Sequence, residues 1–303
     1  MTDFRTGVDL GGSKIEAVVL DGAGAELSRD RVATPDSYEG VLEQVSALVR
    51  DAELHAGGRA LGLGIGTPGS LSPETRLMRN AFNTALNGQA LDQDLCRVLG
   101  RPVRVENDAN CFALAEATAG AGKGAGVVFG VILGTGVGGG VVVSGELVAG
   151  RNGICGEWGH NPVPRASAEE LTAARCDCGR PGCLEAWCSG PGLEADHFRT
   201  TGSEMPAAMI ASFAEAGDMA ARETLERHTD RLGRALAAVV NLLDPDVIVL
   251  GGGLSKLDHL YRDLPEAMRE HVFSDVFETR IVPNRLGDSA GVIGAAWLCP
   301  REG

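Results

Sequence analysis

The sequence is short of positive charge. It holds three lysines, Lys14, Lys123 and Lys256, against a formal net charge of −14. No basic run occurs that could neutralise a row of phosphates, so nucleic acid is not expected as a partner. Long apolar runs are missing too: no stretch approaches the roughly 18 residues of a membrane-spanning helix. The opening Met-Thr-Asp-Phe-Arg-Thr has none of the apolar core of a secretory leader. No membrane partner is expected, and the reading is of a soluble, cytoplasmic protein.

Glycine is in excess, at 43 of 303 residues. That is about twice the roughly 7% of average usage, without any low-complexity tract, so local reasons must exist at individual turns and close approaches. The length is enough for two lobes. Eight cysteines would suit a disulfide framework in a small secreted domain, but here they read as free thiols or metal ligands. Cys96, Cys111, Cys155, Cys188 and Cys299 lie singly among apolar neighbours and are expected as small buried hydrophobes. Cys176, Cys178 and Cys183 cluster.

Apolar and β-branched residues at 5–10 and 14–20 flank Gly11-Gly12 and predict two strands joined by a tight turn, with a third strand at 26–33. Helical spacing predicts a helix over 38–54, and 60–66 reads as a short buried strand. Further on, 91–99 is expected to be helical, 103–107 a strand and 110–117 a helix with Asp108 as its candidate cap. After a candidate hinge at 120–126 the pattern restarts, with strands at 127–133 and 139–143 around Gly-Thr-Gly-Val-Gly. Residues 150–192 are rich in Gly, Pro and Cys and read as loop. An amphipathic helix over 219–243 stops at Asp244-Pro245, a buried strand at 246–250 runs into Gly251-Gly252-Gly253, and a last helix covers 290–298.

Asp9-Leu10-Gly11-Gly12-Ser13-Lys14 puts a carboxylate at a strand end, then two residues without Cβ, a hydroxyl and a cation. Backbone N–H groups of such a turn can approach phosphate oxygens while the acid faces hydrated Mg2+. Taken alone, the stretch reads better as an ordinary Gly-Gly hairpin turn, and the Walker A spacing is not there. Gly134-Thr135-Gly136-Val137-Gly138 repeats the logic at the second hairpin, and Gly251-Gly252-Gly253 offers a third close approach, suited to adenosine. Three such turns favour a nucleotide ligand. Cys176-x-Cys178-x4-Cys183 supplies three soft ligands and His160 a nitrogen, the donor set of a closed tetrahedral Zn2+ site, with three free thiols as the alternative. Asp108 reads equally as a helix cap and as a functional carboxylate. On residue type alone Glu157 and Glu185 are solvated acids, and Gly66-Thr67-Pro68-Gly69 is a plain turn.

In kind and in order these motifs resemble the ROK sugar kinases of the hexokinase and actin superfamily, from Asp9 to about Trp297. The matching segments are Asp9–Lys14, Glu106-Asn107-Asp108, Gly134–Gly140, Glu157-Trp158-Gly159-His160, Cys176-Asp177-Cys178-Gly179 with Gly182-Cys183-Leu184-Glu185, and Asp244-Pro245 before the last glycine turn. The resemblance implies an α/β fold of two ribonuclease H-like lobes around an active-site cleft, divided as 1–119 and 120–288, with a last helix, 289–303, returning to the first lobe. It implies an ATP-dependent kinase using Mg2+, with Asp108 accepting the proton of the attacking sugar hydroxyl. Nucleotide and Mg2+ then fall to Asp9, Gly11, Gly12, Ser13, Lys14, Gly134, Thr135, Gly136, Gly138, Gly251, Gly252 and Gly253. The sugar falls to Gly66, Asn83, Asn107, Asp108, Glu157, His160 and Glu185. His160, Cys176, Cys178 and Cys183 hold a structural Zn2+ that orders the loop bearing Glu157 and Glu185.

The pattern departs from the family at Phe82, where a sugar-binding Asn is usual; Asn83 or Asn80 is expected in its place. Asn87-Gly88-Gln89 and the stretch from Glu157 to Pro164 look closest to the fructokinase and mannokinase branch, so the expected acceptor is the 6-hydroxyl of fructose or mannose. N-acetylglucosamine kinase, or glucokinase, is the alternative. A sugar-sensing regulator without catalysis is a remote one, against which the acidic charge speaks. A homodimer is expected.

Overall fold

The computed structural model describes residues 4–81 and 84–299. Its contacts divide the chain into two compact units: Met1–Gly120 with Leu147–Cys155 and Leu286–Gly303, and Ala121–Glu146 with Gly156–Arg285. Residues 147–155 thus pack with the first unit, whereas a single cut near 120 assigns them to the second.

The first unit is built on a five-stranded sheet in the order β3-β2-β1-β4-β7. β1 (Arg5–Leu10), β2 (Lys14–Leu20) and β3 (Glu26–Ala33) form an antiparallel meander, and β4 (Leu63–Thr67) and β7 (Val103–Asn107) add parallel to β1. Parallel neighbours need crossovers. α1 (Tyr38–Ala56) makes the first; the ribbon of β5 (Ser70–Leu71) and β6 (Met78–Arg79) followed by α2 (Leu91–Leu99) makes the second. Ser37 caps α1 through the Gly40 N–H, and Gly57, at φ 74°, ends it. Its buried face of Val41, Val45, Leu48, Val49 and Ala52 packs on Val8, Ile15, Ala17, Leu63 and Ile65. Each large side chain so buried contributes on the order of 1.5–3 kcal/mol. β4 starts at Leu63 rather than at residue 60 because side chains take the Ala60 backbone: its N–H donates to Glu53 Oε1 (3.2 Å) and its carbonyl accepts from Arg101 Nη1 (2.7 Å).

The other face of this sheet explains part of the glycine excess. α10 (Ala290–Trp297) lies with its backbone against β1 and β4, so close that a Cβ at Gly7 would overlap Val292 O and Ala296 N, and one at Gly64 the Ala295 carbonyl. Gly294 makes the same close approach to the Cys111 carbonyl of α3 (Asp108–Ala119). Val292 and Ala296 also cover Val18 and Leu20.

The second unit repeats the scheme in the order β10-β9-β8-β11-β12. β8 (Val127–Leu133) and β9 (Val137–Val143) form the hairpin, β10 (Glu146–Leu147) the edge, and β11 (Val247–Gly251) and β12 (Arg280–Pro283) run parallel to β8. The stretch expected as loop, 150–192, holds short helices: a 3-10 turn at Trp158–His160, α4 (Ala168–Thr172) and α5 (Glu185–Cys188). α4 opens with a reciprocal cap between Ser167 and Glu170. α6 (Gly190–Thr201), α7 (Ala207–Glu215), α8 (Met219–Leu243) and α9 (Asp258–Arg269) follow, with α8 burying Leu225, Leu232, Leu236 and Val240 along one stripe.

Buried charge fixes α4 and α5 to α8. Glu170 accepts from Arg231 Nε (2.8 Å) and Arg234 Nη2 (2.7 Å). Burial opposes its ionisation, yet the Arg234 and Arg231 guanidinia hold its pKa at about 2. Trp187 donates to Glu170 O (3.0 Å) and has the guanidinia of Arg199 and Arg231 over its ring, at 4.6 and 4.3 Å.

Of the scattered cysteines, Cys111 and Cys188 are buried as expected, Cys155 and Cys299 are half-buried, and Cys96 is exposed. Cys96 faces outward because Leu91, Leu95 and Leu99 set the buried side of α2. Among the described residues no helix is long and apolar enough to cross a membrane.

Candidate active site

In the first unit the parallel register pairs Asp9 with Gly66, Gly66 with Glu106 and Thr67 with Asn107. The C-terminal ends of β1, β4 and β7 therefore share one edge, the place where open α/β sheets hold ligands. Asp9, Gly66, Asn107 and Asp108 meet there, and the Gly11–Ser13 turn leaves from it. Thr34 ties the base of the turn, its Oγ1 donating to Gly11 O (2.9 Å) and its N–H to Ser13 O (3.1 Å). The tip, Gly12 and Ser13, is exposed, and a Cβ at Gly12 would meet nothing within 4 Å. Lys14 Nζ stands 4.0 Å from Glu16. Gly66 needs no ligand to explain its missing side chain, since a Cβ would lie 3.0 Å from Cys111 Sγ.

The cap of α3 is Asn107, not Asp108: Asn107 Oδ1 accepts the Ala109 N–H at 2.8 Å. Asp108 is the first residue of the helix, half-buried, and its Oδ1 accepts the same N–H at 2.8 Å. Burial raises its pKa against the pull of that hydrogen bond. Asp9 is pushed up to about 6, by burial first and then by the charge of Asp108. Two carboxylates at one edge repel, and a divalent cation would relieve them, so Asp9 fits a Mg2+ role. Asn80 is exposed with φ 57°, while Asn83 and Phe82 lie outside the described residues.

In the second unit Gly251 pairs with Ile132 across β11 and β8. Gly252, at φ 80°, would place a Cβ 2.5 Å from Leu133 O. The Gly251–Gly253 turn thus lies against the root of the Gly134–Gly138 turn. The latter closes through Gly134 N–H to Gly136 O (2.9 Å) and is held from outside at both ends: Gly190 N–H donates to Gly134 O (2.8 Å) and Val137 N–H to Glu185 Oε2 (3.0 Å). Thr135 is exposed at its tip.

The Glu157–His160 segment lies along β9. Trp158 donates to Gly138 O (3.0 Å) and meets Phe129 edge-on, ring centres 5.4 Å apart. A Cβ at Gly159 would overlap the Val137 carbonyl, so the motif glycine is needed for this approach. His160 Nδ1 lies 3.5 Å from Cys176 Sγ and 4.0 Å from Glu185 Oε1, and Nε2 lies 3.9 Å from Glu157 Oε2. The ligand atoms of His160, Cys176, Cys178 and Cys183 all fall within 4.8 Å of one another, with Cys178 and Cys183 Sγ at 3.6 Å. Zinc bonds of about 2.3 Å to sulfur put tetrahedral ligands about 3.8 Å apart, so spacing and donor set both fit a soft metal. The Arg180 N–H lowers the Cys178 thiol to about 7, while burial raises those of Cys176 and Cys183.

Four supports went unread in the sequence: Thr34, Asn107 as cap, Trp158 and Gly190. Ser189-Gly190-Pro191 did carry a signal, a capping serine that accepts the Gly192 N–H before a first-turn proline.

A family model described as the ROK family matches residues 5–302. The chain belongs to the ROK family. N-acetyl-D-glucosamine kinase of Yersinia enterocolitica is 39% identical over 297 residues, 96% of this chain and 98% of the relative. The ROK hexokinase structure from Thermus thermophilus is 34% identical with TM-score 0.86, covering 97% of this chain and 96% of that one. A ROK glucokinase from Streptomyces griseus, in complex with glucose and AMPPNP, is 31% identical with TM-score 0.75, covering 98% and 99%. The α/β fold is that of these ROK kinases, and the ROK chain is an ATP-dependent sugar kinase. The likeness to N-acetylglucosamine kinases of Yersinia and Pectobacterium favours the alternative acceptor over the first expectation of fructose or mannose.

Proposed function

We propose that this chain transfers the γ-phosphoryl group of MgATP to the 6-hydroxyl of N-acetyl-D-glucosamine. The observation that carries the chemistry is the half-buried Asp108 carboxylate at the junction of β7 and α3, on the edge it shares with Asp9. Its raised pKa makes it a stronger base than a free aspartate, suited to take the hydroxyl proton as the oxygen attacks the γ-phosphorus. The acceptor rests on likeness to N-acetylglucosamine kinases along nearly the entire chain. Asn107, Glu157, His160, Glu185 and Gly66 are assigned to the sugar.

Phosphoryl transfer asks mainly for positioning and charge stabilisation. The backbone N–H groups of the Gly11–Ser13 and Gly134–Gly138 turns are assigned to the phosphates, and Gly251–Gly253 to the adenosine end. Mg2+, held through Asp9, would supply neutralisation of phosphate charge. The Cys/His cluster would hold Zn2+ as a crosslink without reactive work. Glucose is the second reading for the acceptor, favoured by the glucose-bound relative.

ATP consumption with N-acetylglucosamine, glucose, mannose and fructose tests the acceptor. The expected kcat/KM for N-acetylglucosamine exceeds the others by at least about 10-fold, the scale at which one polar substituent is read; a higher value for fructose or mannose overturns the assignment. Asp108→Asn is expected to bind sugar normally by calorimetry and to lose about 10²–10⁴-fold in kcat. Turnover close to wild type would reject Asp108 as the base.

A further inference from the structure

We propose that Glu185 is a positioning residue that joins the Cys/His cluster to the Gly134–Gly138 turn, so that a metal held by the cluster tightens nucleotide binding. The inference rests on reading that turn as part of the nucleotide site.

Glu185 stands two residues after Cys183, and its two carboxylate oxygens face opposite ways. Oε1 lies 3.2 Å from Cys176 Sγ and 4.0 Å from His160 Nδ1, both members of the cluster. Oε2 accepts the Val137 N–H at 3.0 Å, at the point where the turn enters β9. A Cβ at Gly136 would come within 2.7 Å of that same oxygen, so glycine is what admits the carboxylate to the turn. The turn's other end is held from the same segment, Gly190 N–H donating to Gly134 O at 2.8 Å. One stretch, 183–190, therefore begins at a candidate metal ligand and brackets both ends of the turn.

The elements around this bracket differ in what holds them. α5 is fixed to α8 by Trp187 and the Glu170–arginine network whatever the cluster contains. The segment carrying Cys176, Cys178 and Cys183 has backbone bonds of its own, Cys176 N–H to Arg180 O (3.0 Å) and Gly179 N–H to Cys176 O (2.9 Å), but is mostly exposed between its cysteines. Ligation fixes Cys176 and His160, the two cluster members beside Glu185, and by taking the thiol proton that Oε1 accepts from Cys176 leaves the carboxylate to the Val137 N–H. A charge-assisted acceptor held in place keeps the turn's amides in one geometry for phosphate oxygens.

Three measurements test this without turnover: metal content, amide hydrogen exchange at Val137, and calorimetric binding of AMPPNP with no sugar present. In the zinc-loaded protein AMPPNP should slow exchange across 134–138. Stripping zinc with a chelator should speed Val137 exchange and weaken AMPPNP binding, each by about 10-fold, the scale of one hydrogen bond to a charged group. Glu185→Ala, loaded with zinc, should show the same two changes, and Glu185→Gln, which keeps an acceptor for the Val137 N–H, should recover most of both. If AMPPNP binds the loaded wild type without slowing exchange at 134–138, the nucleotide reading of the turn fails. If AMPPNP protects the turn but chelation and Glu185→Ala leave exchange and affinity unchanged, the bracket itself is overturned.

Discussion

In the first unit the turn after β1 is tied to Thr34, 23 residues on at the end of the same meander; in the second the turn after β8 is tied to Glu185, 48 residues on and beside a metal-type cluster. The sequence motifs look alike, with glycines around a hydroxyl in both. Their supports are not alike. The first is secured by the strand that follows it in the sheet, so it stands once three consecutive strands have paired. The second depends on a segment that must itself be organised, which makes it open to control from outside the sheet.

The largest break in symmetry should follow removal of metal. A chelator strong enough to strip thiolate-bound zinc is expected to speed amide exchange across 157–185 by at least about 100-fold while residues 5–34 keep their protection. Equal loss in both regions would erase the contrast. Next in size is a matched pair of alanine substitutions. Gly136→Ala drives a methyl against the Glu185 carboxylate, whose end must swing off the Val137 N–H to make room, and should cost about 1–2 kcal/mol. Gly12→Ala meets open space and should stay within about 0.5 kcal/mol. Thermal unfolding decides, at about 2–4 °C per kcal/mol for a chain of this size; equal shifts would mean that the two turns are supported alike.

An effect of similar size belongs to the carboxylate pair of the first unit. The folded pKa of Asp9, about 6, lies above its ordinary 3.8, so its contribution to stability is full below about pH 4 and is lost as pH rises through about 6. Asp9→Asn removes that loss. It should stabilise the protein at pH 7.5 by about 1–2 kcal/mol, after allowance for solvent at the half-open carboxylate, and by nothing at pH 4. A destabilised variant at pH 7.5 would show that Asp9 is held by attraction instead. Smallest is Thr34→Val, which deletes the side-chain bond to Gly11 O and should cost about 1 kcal/mol by thermal unfolding, without changing exchange at Val137.

Strand and helix positions were legible wherever period and caps agreed, as for the first meander, α1, α2 and α8. They slipped where side chains compete with the ladder, as at Ala60, whose N–H and carbonyl are taken by Glu53 and Arg101. The cap of α3 was misassigned because Asn107 and Asp108 are both good capping residues and only φ and ψ separate them. The Ser167–Glu170 capping box was written in the chain but lies inside 150–192, a stretch whose glycine, proline and cysteine content reads as loop. Donor types for the metal cluster could be read from spacing; the double-faced position of Glu185 could not, since it depends on two elements far apart in sequence. Preference among hexoses was illegible because the motifs name the phosphoryl-transfer apparatus and leave the acceptor to less patterned positions.

The glycine strip under α10 has a consequence for synthesis. β1 and β4 are made early, yet the helix that covers them, with the Val292 and Ala296 side chains that shield Val18 and Leu20, is made only after the whole second unit. One apolar face of the first sheet therefore stays bare until residues 290–297 have emerged, and a nascent chain halted before residue 290 carries a sticky, half-finished surface that chaperones will hold.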